Sequence, residues 1–406
     1  MSDSFYYIAE GKAYFHSNGR ANEIRSRVLE SYIDKVKESA KRNEWKYSGT
    51  GAAFTGTYQP HSDAESRVSS VFSRITCLRP YKGDLLYSLT IDRTNGIYKK
   101  TNDDAVTDGI VLSSADNAYC DFDVSGGKLV LSSSFAGESH IGVMELSNGD
   151  LQIYTEGHSF DHSPVWSKRD GNKIYFCCTG LPIENREEPR SKAPMSYSEL
   201  VSEMYSSAKT SERGATSICL LDIEEGTLDE LLTDQKYDYT HPQSTSDGSL
   251  YYIRKPHRSE GRKTSSLGCL VDLFMFPFRL IGALFGFLNV FSAKYSGKTL
   301  SKSGDVKNRN EREMFIDGNL INAEKELKAN KSRGEKNPGI IPHSWELRRL
   351  DPDGKDHSVR GGVAAFFADE SDGTVLVSNG SAILRIDSDG KEEKICSAAN
   401  VTAIYR

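Results

Sequence analysis

Short runs of alternating apolar and polar positions recur along nearly the whole 406-residue chain. Residues 118–157, AYCDFDVSGGKLVLSSSFAGESHIGVMELSNGDLQIYTEG, hold four such runs: YCDFDV, KLVLSSS, HIGVMEL and LQIYTEG. A period of two predicts strands, and the turns between them (SGG, FAGES, SNGD) carry the glycine and polar residues that tight antiparallel connections need. One such segment therefore predicts a four-stranded antiparallel unit.

The unit repeats. A following one opens with FDHSPVWSKRDGNKIYFCC (160–178) and continues, after an interruption, with TSICLLDIEEGTLDELLTD. Another opens with YTHPQSTSDGSLYYIRK (239–255) and resumes at SWELRRLDPDGKDHSVRGG. A further copy is VAAFFADESDGTVLVSNGSAILRIDSDGKEEKICSA, and a degenerate one begins at RITCLRPYKGDLLYSL. Each places a glycine between its first two strands (Gly83, Gly127, Gly171, Gly248, Gly373), and a strongly apolar second strand follows at once. Repeats of this length mean stacked or radial architectures, and a ring of four-stranded sheets protects its edges without a separate cover. NVTAIYR at one terminus looks like a lone first strand, and SFYYIAEGKAYFHSNGRANEIRS at the other looks like the strands that complete it. The expectation is an all-β fold over 1–406: a six-bladed β-propeller of four-stranded antiparallel blades, its terminal segments sharing one blade.

Three segments interrupt the β pattern. Residues 20–66 place Ile24, Val28, Leu29, Tyr32, Ile33 and Val36 at helical spacing, an apolar face to dock on the rim. Residues 184–214 contain a possible capping box, Ser196 with Glu199, ahead of a short amphipathic stretch. Residues 257–343 are the largest insertion and end in FIDGNLINAEKELKANKSRGEKNPG, read as a polar helical segment.

Composition narrows the function classes. A net charge of −6 supplies no global basic field, which argues against a nucleic-acid partner. The seven cysteines form no CxxC pair and mostly sit in strand-like runs, as small buried hydrophobes of a reducing compartment would. The first residues show no basic stretch followed by an apolar one, so no export signal is expected. Cytoplasmic location, either free or peripheral at the inner face of the cell membrane, follows as an expectation.

The DHSPVWSKRDGNKIYF pattern, with the strands that accompany it, resembles the TolB-like propeller repeat, found also in prolyl-oligopeptidase-type peptidases and tricorn protease. The resemblance spans residues 68–395 outside the insertions. It implies a propeller that works through protein partners, or one that carries a catalytic domain. The second case is disfavoured: no G-x-S-x-G elbow is present and no length remains for a hydrolase domain. Phosphate-cradling glycine motifs are absent as well. Candidate chemistry is confined to the blade-entry loops HSFDH and YTHPQ, where His158, His162, His241 and Gln243 could converge at the channel mouth on a divalent metal such as Mn or Fe. THPQ is similar to the blade entry of oligogalacturonate lyases, which use a His-rich metal site. The plainer reading has these polar side chains satisfying turn backbone, with no cofactor.

One stretch stands outside the pattern, LVDLFMFPFRLIGALFGFLNVF at 270–291. A membrane-spanning helix needs about 20 apolar residues, but Asp272 and Arg279 are costly in hydrocarbon and Pro277 breaks the run. Leu273, Phe274, Phe276, Phe278, Leu280, Ile281, Leu284, Phe285, Phe287, Leu288 and Phe291 instead suit an apolar hairpin that meets a membrane surface, a protein partner, a second copy of the chain or the protein's own rim. The sequence thus predicts a non-catalytic interaction scaffold tethered through this arm. A metal-dependent propeller enzyme, lyase- or hydrolase-like, is the alternative.

Overall fold

A computed structural model describes residues 4–43, 68–101, 108–181, 214–257, 313–317 and 319–406. Calls that fall on 270–291 and on the helix expected within 184–214 lie outside the described residues. Within them, β1 (Phe5–Ala9), β2 (Lys12–Ser17) and β3 (Arg20–Ile24) open the chain, followed by α1 (Arg27–Asn43). A second blade runs β4 (Ser73–Tyr81), β5 (Asp84–Ile91), β6 (Thr94–Lys100) and β7 (Gly109–Ser114). The third is β8 (Phe122–Ser125), β9 (Lys128–Phe135), β10 (Glu138–Glu145) and β11 (Leu151–Ile153). The fourth is β12 (Ser159–Trp166), β13 (Lys173–Gly180), β14 (Thr216–Asp222) and β15 (Thr227–Leu232).

The fifth blade begins with β16 (Tyr237–Ser244) and β17 (Leu250–Pro256). It is interrupted by β18 (Glu313–Ile316), β19 (Asn319–Asn322) and α2 (Ala323–Ser332), then completed by β20 (Glu346–Leu350) and β21 (Asp356–Gly361). The sixth is β22 (Ala365–Ala368), β23 (Val375–Ser378), β24 (Ala382–Ile386) and β25 (Glu392–Ser397). The final strand, β26 (Val401–Tyr405), pairs antiparallel with β1 through Tyr6↔Tyr405 and Tyr7↔Ile404, so the first blade has the order β26-β1-β2-β3. This is the terminal clasp expected from the sequence. The turn glycines Gly83, Gly127, Gly171, Gly248 and Gly373 all fall between the first and second strands of their blades.

The apolar second strands follow from the packing. Every blade is covered on both faces, so its central strands bury odd and even positions alike. Leu85 and Tyr87 pack with Ile8 of the first blade, whereas Leu86, between them, packs with Phe122 and Leu129 of the third. Val130 then faces Ile174 and Phe176 of the fourth blade. Cys177 faces Tyr252 of the fifth, Ile253 faces Val377 of the sixth, and Leu376 returns to Phe5 and Ile404 of the first. Six interblade cores close the circle.

α1 packs through its first turn, with Val28 and Leu29 against the core between the first two blades, whereas Tyr32, expected on the same face, is exposed. Ser26 caps it, its Oγ accepting from the Leu29 N–H at 3.2 Å. The same hydroxyl meets Tyr87 Oη at 2.7 Å, and Asp108 accepts from both Tyr87 Oη (2.5 Å) and the Arg27 N–H (2.9 Å). The large insertion departs from expectation: FIDGNLIN, assigned to a helix, is the β18–β19 hairpin. Ile316 pairs with Asn319, and the Asp-Gly dipeptide that the sequence places between them is a strong hairpin signal that outweighs the helical pattern after it. The helix starts only where Asn322 caps it by accepting from the Lys325 N–H.

Candidate functional site

The innermost strands β26, β4, β8, β16 and β22 each pair on one side only, whereas the innermost strand of the fourth blade, β12, also touches β10 through the single parallel pair Ser139↔Phe160. Together they line a cavity of about 340 Å³. Three of these strands break register at the same place: between Ile75 and Leu78, His162 and Val165, and Thr240 and Gln243. In two the break puts a non-glycine residue in the left-handed region just before proline, Ser163 at φ 52° and His241 at φ 55°. Both line the cavity. Such strain is held only where the surroundings over-determine it.

Around the open mouth, polar contacts stitch each blade to the next. The Arg79 guanidinium stacks on the Tyr405 ring at 4.4 Å, joining the second blade to the first. Its Nε donates to Asp123 of the third blade at 2.9 Å. Asp123 Oδ2 accepts from the Trp166 N–H of the fourth blade at 3.0 Å. The Lys168 N–H reaches Ser244 Oγ of the fifth at 3.2 Å. Gln243 Nε2 donates to the Ala368 carbonyl (2.7 Å) while its Oε1 accepts from the Ala368 N–H (2.9 Å), joining the fifth to the sixth. Arg406 closes the loop on Asp369 (2.5 Å) and Asp372 (3.3 Å). Lys168 Nζ also bridges across to Glu370 at 2.5 Å.

Beyond the residues that line the cavity, the β18–β19 hairpin brings Asp317 to Lys255, Nζ to Oδ2 at 2.5 Å. Burial would raise the Asp317 carboxyl, but the Lys255 ammonium foremost, with His241 and His162, holds it at about 2. The Asp317 side chain itself is 34% exposed. Burial depresses the His162 imidazole below the ordinary histidine range; Asp121 and Asp317 pull it back up, while His241 and Lys255 oppose them.

The four histidine-loop candidates are thus divided. His162 and His241 stand within electrostatic reach of one another, His162 Nδ1 contacting Ser163 Oγ at 3.1 Å and His241 Nδ1 buried without a hydrogen-bond partner. His158 lies on the exposed rim, 2.9 Å from Glu138 Oε1. The Gln243 amide is spent on Ala368. Among the described residues no group of three or more His, Cys, Asp or Glu side chains is arranged to hold a metal ion. The described cysteines are free thiols. Burial raises Cys77, Cys120 (to about 11), Cys177 and Cys396; for Cys178 a hydrogen bond with Cys219 acts first, then burial. No nucleophilic thiolate stands ready among them.

Sequence reasoning missed Arg79, Asp123, Tyr405, Arg406, Lys168, Lys255 and Asp317. For Arg79 and Asp123 a signal existed: each lies four residues before its turn glycine, as does Ser244, and all three line the cavity. Asp317 and Lys255 lie on no such frame.

No family model matches the chain, and no curated protein sequence matches it. Among solved structures, TolB from Acinetobacter baumannii is similar at 10% identity and a TM-score of 0.48, over 99% of this chain and 66% of that one. The tricorn protease is similar at 10% identity and a TM-score of 0.43, over 97% of this chain and 33% of that one. Oligogalacturonate lyase from Vibrio parahaemolyticus is similar at 11% identity and a TM-score of 0.35, over 80% and 79%. The chain spans just under two thirds of TolB and a third of the protease. The likeness to TolB-like β-propellers is one of fold, and the six blades themselves rest on the strand pairing.

Proposed function

We propose that this propeller is a non-catalytic interaction scaffold that receives a short segment of a protein partner at the open mouth of its channel. The observation that carries this reading is the ring of interblade contacts. Arg79 and Arg406 are engaged by carboxylates of neighbouring blades and Lys168 by one across the mouth, so these cations are spent on the ring, and no activated thiolate stands among the described cysteines. Edge N–H and C=O groups of the innermost strands and the ring of Phe367 supply contacts suited to an extended peptide.

The apolar arm at 270–291 gives the scaffold its second attachment, to a membrane face or a hydrophobic partner on the cytoplasmic side. Among the described residues no helix is long and apolar enough to cross a membrane. A photocrosslinking amino acid at Phe367, compared with one at the outer turn residue Phe135, tests the mouth: a discrete polypeptide captured at Phe367 alone is expected. Equal capture at both positions, or none, overturns the reading. Deleting 265–295 is expected to change membrane recovery or oligomeric state; no change in either removes the tether.

The proximity of His162 to the strained, unpartnered His241 favours one second reading, a metal-dependent enzyme. Stoichiometric Mn, Fe or Zn in purified protein, lost in His162→Ala and His241→Ala, would establish it.

A further inference from the structure

Beyond the residues that line the cavity, Lys255 and Asp317 form an arrangement that the blade repeat does not need. Lys255 on β17 is 5% exposed. Its ammonium sits 5.0 Å from the centroid of the Trp345 ring and donates to Asp317 twice, to Oδ2 at 2.5 Å and to the main-chain carbonyl at 3.2 Å. Asp317 arrives from outside the repeat, at φ 45° on a hairpin tip. Ile316 and Ile321 pin the hairpin onto Ile341, Trp345 and Ala364. The charge of Asp317 reaches His162 and His241, the latter a lining residue of the cavity. The other carboxylate near His162, Asp121, accepts from the Ser163 N–H at 3.3 Å.

A strut would be packed; Asp317 is a third exposed and held by charge. A desolvated ammonium backed by an aromatic face and two imidazoles recognises a carboxylate. Asp317 presents one on the tip of a hairpin.

We propose that Lys255 heads a carboxylate-binding subsite, and that Asp317 occupies this subsite in cis. The inference rests on reading the channel as the seat of a partner segment. The competing ligand is an acidic side chain on that segment, and a free dicarboxylate offers the same chemistry.

The test is calorimetry on the full chain with two probes: succinate, and an acetylated, amidated Gly-Glu-Gly tripeptide with its Gly-Gln-Gly counterpart as the neutral control. Asp317→Gly removes the carboxylate and suits the positive φ. This variant is expected to bind a carboxylate probe at least tenfold more tightly than the unaltered chain, and adding Lys255→Met is expected to abolish the gain. Tighter binding of the glutamyl tripeptide supports a protein segment as the source; tighter binding of succinate alone supports a free carboxylate in the same subsite. If Asp317→Gly gains nothing with either probe, or if the gain survives Lys255→Met, the subsite does not exist. Asp317→Asn, whose side chain also tolerates positive φ, replaces the glycine variant should that chain not fold. Loss of crosslinking at Phe367 with carboxylate binding intact would remove the partner reading and leave the subsite. The converse result would do the reverse.

Discussion

The open mouth and the Lys255–Asp317 pair are built differently. At the open mouth, charge comes from the blades themselves, at positions set by the turn glycines, and adjacent blades neutralise one another: Arg79 with Asp123, Arg406 with Asp369. At the pair, the charge that meets Lys255 comes from an insertion, on a hairpin belonging to no blade. Repetition thus makes the rim, while the insertion makes a part that the repeat does not encode. A ring of repeats tolerates such an addition because loops between strands lie outside the interblade cores.

The largest effect expected comes from breaking the rim where it closes. Removing residues 401–406 deletes β26, with Val401 and Ile404 both buried, and takes Tyr405 and Arg406 from the mouth. Each lost core side chain costs about 2–4 kcal/mol, so the total is comparable with the whole stability of an ordinary domain, about 5–15 kcal/mol. Loss of the cooperative thermal transition, or a melting temperature lower by more than about 10 °C, is the expected outcome. A near-native melt would show that the clasp does not close the ring.

Breaking the Lys255–Asp317 pair is expected to cost less. Lys255→Met leaves Asp317 without its partner, and because that carboxylate keeps some water the cost should be about 2 kcal/mol, below the 3–5 kcal/mol of a fully buried pair. The pH dependence carries a sign. Asp317 titrates at about 2 in the folded chain against an ordinary 3.8, so the unfolded chain binds more protons between these values. Its contribution is present above the ordinary value and lost as pH falls from 3.8 toward about 2. In Lys255→Met the folded value rises and that acid limb of stability disappears. Urea unfolding from pH 6 to 2 reads both effects; identical acid limbs in the two proteins would mean that Lys255 does not hold Asp317.

Gln243 sharpens the contrast from the side of the mouth. If its amide is a stitch between the fifth and sixth blades, Gln243→Ala loses two hydrogen bonds to Ala368 and about 1–2 kcal/mol. Bound metal content would not change. A metal stoichiometry that falls with this substitution while stability holds would reverse the assignment.

The rim was more legible in the sequence than the Lys255–Asp317 pair, for a physical reason. Blade cores obey a period of two on fully covered sheets, so LLYSL, LVLSS, IYFCC, LYYIR and VLVSN announce the second strands whatever surrounds them. Arg79 and Asp123 inherit that frame. Asp317 does not: its position depends on where a long insertion folds back, and its helical neighbours obscured the Asp-Gly turn that would have exposed the hairpin. The histidine motifs misled for the opposite reason. Their loops recur, but recurrence places backbone, and the side chains then separate: His241 lines the cavity, His162 stands within its electrostatic reach and His158 is exposed.

His158 therefore supplies the smallest and most diagnostic substitution. Its side chain is 64% exposed and its partner Glu138 is 41% exposed, so the pair sits in water that screens its charge. Exposed pairs of this kind contribute about 0–1 kcal/mol. Replacing His158 with Ala is expected to shift the melting temperature by no more than about 2 °C and to leave both the acid limb and binding at the mouth unchanged. His241→Ala, by contrast, removes an imidazole from a strained position that lines the cavity, and should alter binding there. If His158→Ala instead matched His241→Ala in its effect on binding, the rim and the channel would have to act as one site, and the separation of His158 from the other two histidine-loop positions would be wrong.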